Sequence, residues 1–303
     1  MKQDNAEKRF SLTILTPTYN RAHTLTACWK SLVRQTNPDF QWLIVDDGST
    51  DGTKKCIETF VAESPDMRID YVYKENGGKH TALNESHPYI QGNIVLILDS
   101  DDTLTPDAVQ EVLSAWERYG QDSRVKTIFF YKCNTNGIPL AYVRHPNQVI
   151  RTYREKRLSS LHSRDCCDTY RTDAFCAATF PVFKEERFIG ESAAHLGIEL
   201  SGLGVYVDRP IYVCEYLDDG LTKAGRKMRL SNPMGGRYNS EKCMDRRLPL
   251  LMRVKNSLLY VCYSLFAGLD GKAMLKETNH KGMVIFGMLP GHLLYLYWKK
   301  KFF

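Results

Sequence analysis

Apolar runs recur at regular intervals through the first third of the chain, and a polar cluster follows each run. The runs occupy residues 12–16, 41–45, 69–73 and 94–98. They are rich in β-branched and aromatic residues, and their length suits strands that are buried on both faces, as in a parallel sheet. Helical spacing separates them, at residues 21–35 and 79–87. Alternation of strand and helix predicts a parallel, doubly wound α/β sheet.

The first of these helices has a predicted buried face. Its apolar positions, four residues or fewer apart, are Leu25, Trp29, Leu32 and Val33. Such spacing places side chains on one side of a helix, so we expect all four to pack against the sheet.

The periodicity changes in the middle of the chain. We predict a helix over 106–119, a strand over 126–133, and a hairpin at Asn136-Gly137 that leads into residues 138–144, because Asn-Gly between apolar runs favours a tight turn. The remaining predicted elements are a strand over 168–175, a helix that begins near 188 and ends near 203, and a pair of strands over 205–216 interrupted at Arg209-Pro210.

The last fifty residues are more apolar. Residues 254–266 predict a helix with a broad apolar face, and residues 282–298 form a strongly apolar segment that we expect to be broken at Pro290-Gly291. This segment is short for a transmembrane span and ends in three lysines from Lys299. Two interpretations stay open: a segment that lies at a membrane surface, with Trp and Tyr at headgroup level, or a helix that packs on the rest of the protein.

Composition narrows the classes of partner. The 303 residues carry 41 Lys and Arg against 35 Asp and Glu, a net charge of +6, and much of the basic excess follows residue 222. This distribution favours an anionic substrate or a membrane surface over nucleic acid. The nine cysteines form no Cys-x-x-Cys pair, and residues 1–9 are polar and unlike a signal peptide. We therefore expect reduced cysteines and a cytoplasmic protein.

Carboxylates crowd the end of the fourth predicted strand, where Asp99-Ser100-Asp101-Asp102 follows the run at 94–98. Open α/β sheets bind ligands at the carboxyl ends of their strands. Carboxylates beside a core need a partner, and a hard divalent cation that carries phosphate oxygens is the expected one. The alternative is that Asp102 or Thr103 caps the helix that starts near Pro106 and the others lie in a solvated turn.

Together, four strand-end motifs resemble glycosyltransferase family 2, a family of inverting enzymes with the GT-A fold that use nucleotide sugars. The motifs are Thr16-Pro-Thr-Tyr-Asn20, Val45-Asp-Asp-Gly-Ser-Thr-Asp51, Asn76-Gly-Gly-Lys-His-Thr-Ala-Leu-Asn84 and Leu98-Asp-Ser-Asp-Asp102. The likeness extends over about residues 12–107 and is looser over 166–221. It implies a mostly parallel, Rossmann-like central sheet flanked by helices, to which this chain adds a C-terminal helical extension.

The resemblance also implies roles for single residues. It assigns nucleotide binding to Thr16, Pro17, Tyr19, Asp46, Asp47, Lys79, Asp99 and Ser100. Within this set Tyr19 lies against the nucleobase, Asp46 or Asp47 accepts its N–H donors, and Asp99 points toward the ribose. A carboxylate suits the N3–H of uracil and so favours UDP. The alternative for Asp46 and Asp47 is a turn with a helix cap. Asp101 binds Mn²⁺ or Mg²⁺ in this comparison, and the role of Asp102 stays open.

An inverting enzyme needs a base that deprotonates the acceptor hydroxyl. In the family this is a carboxylate at the start of a helix in the second half of the domain, and Gly190-Glu191-Ser192 resembles that position. We therefore predict Glu191 as the catalytic base. The alternative is an acidic residue that stabilises a helix N-terminus.

These observations predict two parts and one activity. Residues 1–222 form the catalytic domain, with a nucleotide-binding half at about 10–107 and an acceptor half at about 108–222, and residues 223–303 form the basic helical extension. The predicted activity is transfer of a sugar from a UDP-sugar to a saccharide or lipid-linked saccharide, in bacterial polysaccharide or glycoconjugate synthesis, in the cytoplasm or at the inner face of its membrane. No nucleic acid partner is expected.

Three other functions are alternatives to sugar transfer. A sugar nucleotidyltransferase shares the sheet topology and the metal chemistry, but it usually carries an early glycine-rich signature that residues 16–20 lack. A protein that binds nucleotide or glycan without turnover is the second alternative. A Rossmann dehydrogenase is disfavoured, because the first strand does not end in glycines.

Overall fold

The structure, a computed structural model, describes residues 10–140, 146–150, 166–214 and 221–303. The chain forms two compact units. The sheet unit comprises Met1–Asn76, Thr81–Thr179 and Ser201–Glu215, and the helical unit comprises Gly77–His80, Phe180–Leu200 and Tyr216–Phe303.

The sheet unit contains one mixed sheet. Its strands are β1 (Phe10–Thr18), β2 (Phe40–Asp46), β3 (Arg68–Tyr73), β4 (Gly92–Ile97), β5 (Thr103–Leu104), β6 (Val125–Cys133), β7 (Val149–Ile150), β8 (Cys166–Arg171) and β9 (Leu203–Val213). Their order is β3-β2-β1-β4-β8-β6-β9-β5, and β7 pairs with β9. The first four strands are mutually parallel. This part of the sheet confirms the predicted alternation of parallel strands and helices.

Helices of the sheet unit follow the strands as expected. They are α1 (Ala22–Val33), α2 (Thr53–Glu63), α3 (Lys79–Ser86, whose first two residues belong to the helical unit), α4 (Ala108–Tyr119) and α5 (Thr172–Ala177). On α1, Leu25 and Leu32 are buried, but Val33 is 53% exposed. The buried face centres on Leu25, Cys28 and Leu32, and Val33 lies about 100° around the helix from Leu32, so its predicted burial is wrong.

Two strand predictions in the second half need correction. The strand predicted over 168–175 ends at Arg171, and α5 begins at Thr172, whose hydroxyl donates to the carbonyl of Gly92. The predicted strand pair over 205–216 is a single strand, β9, through position 213. Pro210 lacks an N–H, and its pairing with Tyr131 falls where the register between β6 and β9 shifts, so the strand continues past it.

The hairpin predicted at Asn136-Gly137 is present in its first residues. Gly137 has a positive φ of 75°, and the amide of Asn134 donates to the carbonyl of Ile138. A single bridge then joins Cys133 to Pro139. Residues 141–144 of the predicted second strand lie outside the described residues.

The helical unit consists mainly of α6 (Ser192–Ser201), α7 (Leu221–Ser231, interrupted at Gly225), α8 (Pro233–Lys242), α9 (Leu250–Phe266), α10 (Gly271–Glu277) and α11 (Lys281–Phe302). Helix α6 begins at Ser192, four residues after the predicted start. None of the helices in the described part of the chain is both long and apolar enough to cross a membrane.

The predicted break at Pro290-Gly291 is wrong, because α11 continues through Pro290. Because Pro290 has no N–H, α11 lacks one backbone hydrogen bond there. Close packing on α9 compensates for this loss. A Cβ added at Gly287 would lie 2.9 Å from the backbone of Ser257, and one at Gly291 would lie 2.7 Å from the Cβ of Val261. The two glycines, four residues apart, therefore let α9 and α11 approach closely.

Candidate functional site

Three carboxylates converge at the turn that follows β4. The nearest oxygens of Asp99, Asp101 and Asp102 all lie within 4.8 Å of one another. The amide of Asp102 donates to the carbonyl of Asp99, 3.1 Å away, and closes the turn. Strand β5 begins at Thr103 and pairs with Val213 of β9. The sheet therefore fixes this turn at both of its ends.

A buried tyrosine holds two of these aspartates. The hydroxyl of Tyr212 donates to Oδ2 of Asp102 over 2.8 Å and accepts the amide of Asp99 over 3.0 Å. Burial, and then the charges of Asp99 and Asp102, raise the pKa of Tyr212 well above its usual value, so the hydroxyl keeps its proton and stays a donor. Sequence reasoning did not identify Tyr212, which is 110 residues from Asp102.

Burial and nearby charges shift the pKa of one member of the cluster. Burial raises the pKa of Asp102 to about 7; the bond from Tyr212 and the charge of Lys132 oppose the shift, and the charges of Asp99 and Asp101 add to it. Nη2 of Arg21 lies 4.0 Å from Oδ2 of Asp101. Three clustered carboxylates are the hard oxygen ligands that Mg²⁺ and Mn²⁺ prefer, so the donor set fits the expected divalent cation.

The loops after β1 and β2 are hydrogen-bonded to each other. They lie at the same edge of the sheet as the aspartate cluster. Asn20 adopts a left-handed φ of 52°. Its amide donates to Oγ of Ser49, and its side-chain oxygen accepts the amide of Thr50, each over 2.8 Å. Gly48 has a φ of +85°, and a Cβ there would lie 2.7 Å from the amide nitrogen of Asn76. The turns after β1 and β2 are thus hydrogen-bonded to each other, and Asn76, which follows β3, packs against Gly48.

The predicted nucleotide-binding residues of β1 differ in accessibility. The hydroxyl of Thr16 accepts the indole N–H of Trp42 inside the core, over 2.9 Å, and Pro17 is buried within the strand. Tyr19 follows the strand and is 46% exposed. Of these three, Tyr19 presents the side chain that a ligand can reach, while Thr16 and Pro17 shape the backbone beneath it.

Asp46 and Asp47 are both buried and both bonded within the protein. Oδ1 of Asp46 accepts the amide of Ser49 over 2.8 Å, and its Oδ2 accepts the hydroxyl of Tyr71 over 2.9 Å. This is the turn-stabilising role considered as the alternative. Oδ1 of Asp47 forms an ion pair with Nζ of Lys74 at 2.7 Å. Lys74, which directly follows β3, was not identified from the sequence.

In the helical unit, the predicted base forms an ion pair with a predicted nucleotide-binding residue. Nζ of Lys79 lies 2.7 Å from Oε1 of Glu191, and both side chains are partly exposed. Gly78, which precedes Lys79, has a φ of +95°. The backbone at Gly78 lies so close to Arg187 that an added Cβ would collide with the carbonyl of that residue. A glycine is therefore required at this point of the motif.

Hydrogen bonds to the start of α8 hold the segment that carries Glu191 in place. The carboxylate of Glu186 accepts the amides of Met234 and Gly235, at 2.7 and 2.8 Å, at the start of that helix. The side-chain oxygen of Asn232 accepts the amide of Arg187 over 2.9 Å. The carbonyl of Glu191 then accepts the first amide bonds of α6. Glu191 thus lies between a loop that is hydrogen-bonded to α8 and the N-terminus of α6.

The structure gathers most of the predicted residues at one edge of the sheet unit. The carboxyl ends of β1, β2 and β4 bring together Thr16, Pro17, Tyr19, Asp46, Asp47, Asp99, Ser100 and Asp101. Lys79 and Glu191 belong to the helical unit, where they contact each other.

Comparison with known sequences gives partial matches. An uncharacterised glycosyltransferase of Mycoplasma genitalium is 32% identical over 128 residues, which are 40% of this chain and 42% of that relative. A chondroitin synthase of Pasteurella multocida is 34% identical over 125 residues, which are 41% of this chain and 12% of that relative. The chain therefore spans less than half the length of these relatives.

Solved structures match over nearly the whole chain. S. aureus TarS 1-349 in complex with UDP-GlcNAc has a TM-score of 0.66 at 15% identity, and the match covers 95% of this chain and 79% of that one. The mannosyltransferase PcManGT from Pyrobaculum calidifontis, in complex with GDP-Man and Mn²⁺, has a TM-score of 0.58 at 18% identity, with 96% and 88% covered. At these identities the likeness bears on the fold alone, and it confirms the predicted GT-A fold.

A sequence profile described as glycosyl transferase family 2 matches residues 13–176, more than half of the chain. The matched segment contains the four strand-end motifs and the aspartate cluster. The chain belongs to glycosyl transferase family 2.

Proposed function

We propose that this protein transfers a sugar from a UDP-sugar to an acceptor hydroxyl with inversion at the anomeric carbon. The observation that carries this proposal is the carboxylate cluster after β4, at the same sheet edge as the bonded loops after β1 and β2. A divalent cation with a nucleoside diphosphate is the ligand whose charge and oxygen chemistry this edge complements.

Asp101 is the proposed ligand of Mn²⁺ or Mg²⁺. Its neighbour Asp99 is the proposed contact to the ribose. When bound, the cation supplies positive charge that stabilises the departing diphosphate. Arg21, at 4.0 Å from Asp101, adds a positive charge to the same place. Tyr212 keeps Asp99 and Asp102 in position, so the turn does not need to rearrange when the ligand binds.

Tyr19 and one of the two aspartates after β2 are the proposed contacts to the nucleobase. Tyr19 offers an exposed ring on which a base can stack. Asp46 or Asp47 is the proposed acceptor of the uracil N3–H, and each also accepts a hydrogen bond or forms an ion pair within the protein. The complex of TarS 1-349 with UDP-GlcNAc, a protein of the same fold, supports a UDP-sugar as the donor.

Glu191 is the proposed catalytic base. It would take the proton of the acceptor hydroxyl while that oxygen bonds to the anomeric carbon and the bond to the diphosphate oxygen breaks. Lys79 is the proposed positioning residue, since its ammonium holds Oε1 of Glu191 at 2.7 Å. Its predicted contact with the nucleotide is retained as part of the proposal.

The proposed acceptor is a saccharide or lipid-linked saccharide, and the proposed setting is polysaccharide or glycoconjugate synthesis at the inner face of a bacterial membrane. The relative described as a chondroitin synthase supports a polysaccharide. The division into a catalytic domain over 1–222 and an extension over 223–303 belongs to this proposal as well.

The proposal is tested by UDP release from a panel of UDP-sugars, with Mn²⁺ or with EDTA. We expect one donor to be hydrolysed slowly in the presence of Mn²⁺. Asp101→Ala should lower this rate by about 10²–10³-fold, the usual cost of lost transition-state charge stabilisation. Glu191→Gln should lower it by about 10²–10⁴-fold, as expected for a general base. Asp66→Asn, at an exposed position in a loop, is the matched control and should retain full activity.

Release that survives both EDTA and Asp101→Ala would contradict the metal-dependent mechanism. If no donor is hydrolysed, a UDP titration with Mn²⁺ decides. Binding of UDP without turnover in the presence of saccharide acceptors would favour the binding-protein alternative, and absence of UDP binding would refute the proposed site.

A further inference from the structure

Helix α11 is apolar on both of its faces. A helix at a protein surface ordinarily has one apolar face and one polar face, and a helix that is apolar all round is normally buried. Between Gly282 and Trp298, α11 contains no charged residue and a single histidine, His292. Each of the two apolar faces of α11 is therefore expected to contact an apolar partner.

One face of α11 packs within the helical unit. Its buried positions are Val284, Gly287, Gly291 and Trp298. The two glycines meet α9, and Trp298 lies against Tyr263 with ring centroids 6.2 Å apart. Protein contacts therefore fix the rotation of α11 about its own axis.

The opposite face is exposed and carries large apolar side chains along four turns. Their exposed fractions are 60% for Ile285, 65% for Phe286, 72% for Leu289, 58% for Leu293, 49% for Leu296 and 58% for Tyr297. We call these six residues the apolar stripe. A contiguous exposed stripe of this kind marks a binding surface, whereas apolar residues scattered singly do not.

The charged residues of α11 have a single sign. Helix α11 begins at Lys281, ends in Lys299, Lys300 and Lys301, and contains no Asp or Glu. The segment from residue 221 to the end of the sequence carries 16 Lys and Arg against four Asp and Glu, although the net charge of the whole chain is only +6. The partner of the stripe must therefore combine an apolar interior with negative charge at its surface.

We propose that the apolar stripe docks this protein on an anionic lipid bilayer, with α11 lying in the plane of the membrane surface. The stripe would enter the boundary between headgroups and acyl chains, with Tyr297 at headgroup level, and the lysines after Trp298 would contact lipid phosphates. Because the other face of α11 packs on α9, this helix can present only one side to lipid.

A second copy of this chain is a less suitable occupant. Pairing two stripes with each other would bring together helices that each carry lysines and no acidic residue, and like charges at an interface disfavour association. An anionic membrane instead complements both properties, the apolar side chains and the positive charge.

Membrane docking does not depend on the proposed sugar transfer, and the two can fail separately. The test is co-sedimentation of the full chain with vesicles, either of equal parts phosphatidylglycerol and phosphatidylcholine or of phosphatidylcholine alone. We expect binding to the anionic vesicles, weakened by salt, and little binding to the neutral ones. UDP binding with Mn²⁺, measured on the same samples, reports on the proposed nucleotide site independently.

Two sets of variants separate the contributions. Phe286→Gln with Leu289→Gln should weaken vesicle binding by at least about tenfold, because two exposed apolar side chains are lost from the lipid contact. Replacing Lys299, Lys300 and Lys301 by Gln should weaken binding to anionic vesicles by about 100-fold, since each lysine near such a surface contributes about a factor of five. Val61→Gln, at an exposed apolar position of α2, is the control and should bind as wild type.

Failure of the wild-type protein to bind anionic vesicles would overturn the proposal. So would binding that the substitutions at Phe286 and Leu289 leave unchanged. A wild-type dimer in sedimentation velocity that the same double variant converts to monomer would show that a second copy covers the stripe, and would also overturn it. Circular dichroism of each variant confirms that the chain is folded.

Discussion

The sheet unit and the helical unit depart from the usual distribution of residues in opposite ways. In the sheet unit, carboxylates are buried at the ends of strands, as at Asp46, Asp47 and Asp102. In the helical unit, large apolar side chains of α11 are exposed. Buried polar groups and exposed apolar patches are the two informative exceptions to ordinary partition. Each indicates a partner, and the chemistry of the exception indicates which partner.

The buried carboxylates also differ among themselves. Asp47 has a cation of the protein beside it, Lys74, and both oxygens of Asp46 accept hydrogen bonds. The hydrogen bond to Asp102 comes from the neutral hydroxyl of Tyr212, and burial raises the pKa of Asp102 to about 7. Specific protein groups therefore bind the carboxylates of the first two, whereas Asp102 lies in a cluster of three carboxylates, whose oxygens are the ligands that a divalent cation prefers.

The largest effect is expected from Lys74→Met. This change leaves the carboxylate of Asp47, which is almost fully buried, without its ammonium partner, and loss of one partner of a buried ion pair costs about 3–5 kcal/mol. The free energy of unfolding in urea measures it. Arg124→Met, which breaks the exposed pair with Asp122, is the control and should have a much smaller effect, because exposed ion pairs contribute little to stability. Equal losses in the two variants would contradict the distinction.

Asp102 should make the metal-free protein less stable at high pH. Its pKa is about 7 in the native state and about 4 in the unfolded chain, so the native state binds the proton more tightly between these values. Stability should therefore fall by about 2–3 kcal/mol as pH rises from about 5 to about 8. Asp102→Asn should remove this part of the pH dependence.

Urea unfolding in EDTA at both pH values, for wild type and for Asp102→Asn, measures the effect. An identical pH dependence in the two proteins would show that Asp102 titrates normally. Addition of Mn²⁺ at high pH should restore stability to wild type, because a bound cation favours the ionised carboxylates.

Tyr212→Phe should have a smaller effect on stability, about 1–2 kcal/mol, because it removes a donor to Asp102 and an acceptor for the amide of Asp99. Since it loosens groups beside the proposed cation, it should also weaken Mn²⁺ binding by about 10–100-fold. Tyr206→Phe, at another buried tyrosine of β9, is the matched control. Unchanged Mn²⁺ affinity in Tyr212→Phe would refute the positioning role.

The smallest effect is expected on the apolar stripe. Phe286→Gln with Leu289→Gln should change the free energy of unfolding by less than about 0.5 kcal/mol per site, because both side chains are exposed. Gly291→Val, on the opposite face of α11, should cost about 1–3 kcal/mol or more, since its Cβ would overlap Val261. A large loss from the stripe variant would mean that the stripe packs inside the protein.

Sequence alone predicted the features that depend on neighbouring residues. The parallel strands β1 to β4, the turns at their carboxyl ends and the cluster at Asp99 to Asp102 follow from apolar runs and from motifs that are contiguous in the chain. The hairpin turn at Gly137 followed from its local Asn-Gly pair.

Features that depend on distant contacts were missed or wrong. Tyr212 comes from a strand 110 residues beyond Asp102, and an isolated buried tyrosine gives no sign of that contact. The break predicted at Pro290 is absent, since packing of Gly287 and Gly291 on α9 stabilises the helix despite its proline. Tertiary contacts of this kind override local propensity.

The most direct test of the central claim is calorimetric titration of UDP, with Mn²⁺ and with EDTA, into wild type and into Asp101→Asn. If the carboxylates after β4 hold a cation that carries the diphosphate, wild type will bind UDP only with Mn²⁺, and Asp101→Asn will lose most of that affinity while remaining folded. Equal UDP binding in EDTA, or wild-type affinity in Asp101→Asn, would contradict the assignment of this sheet edge.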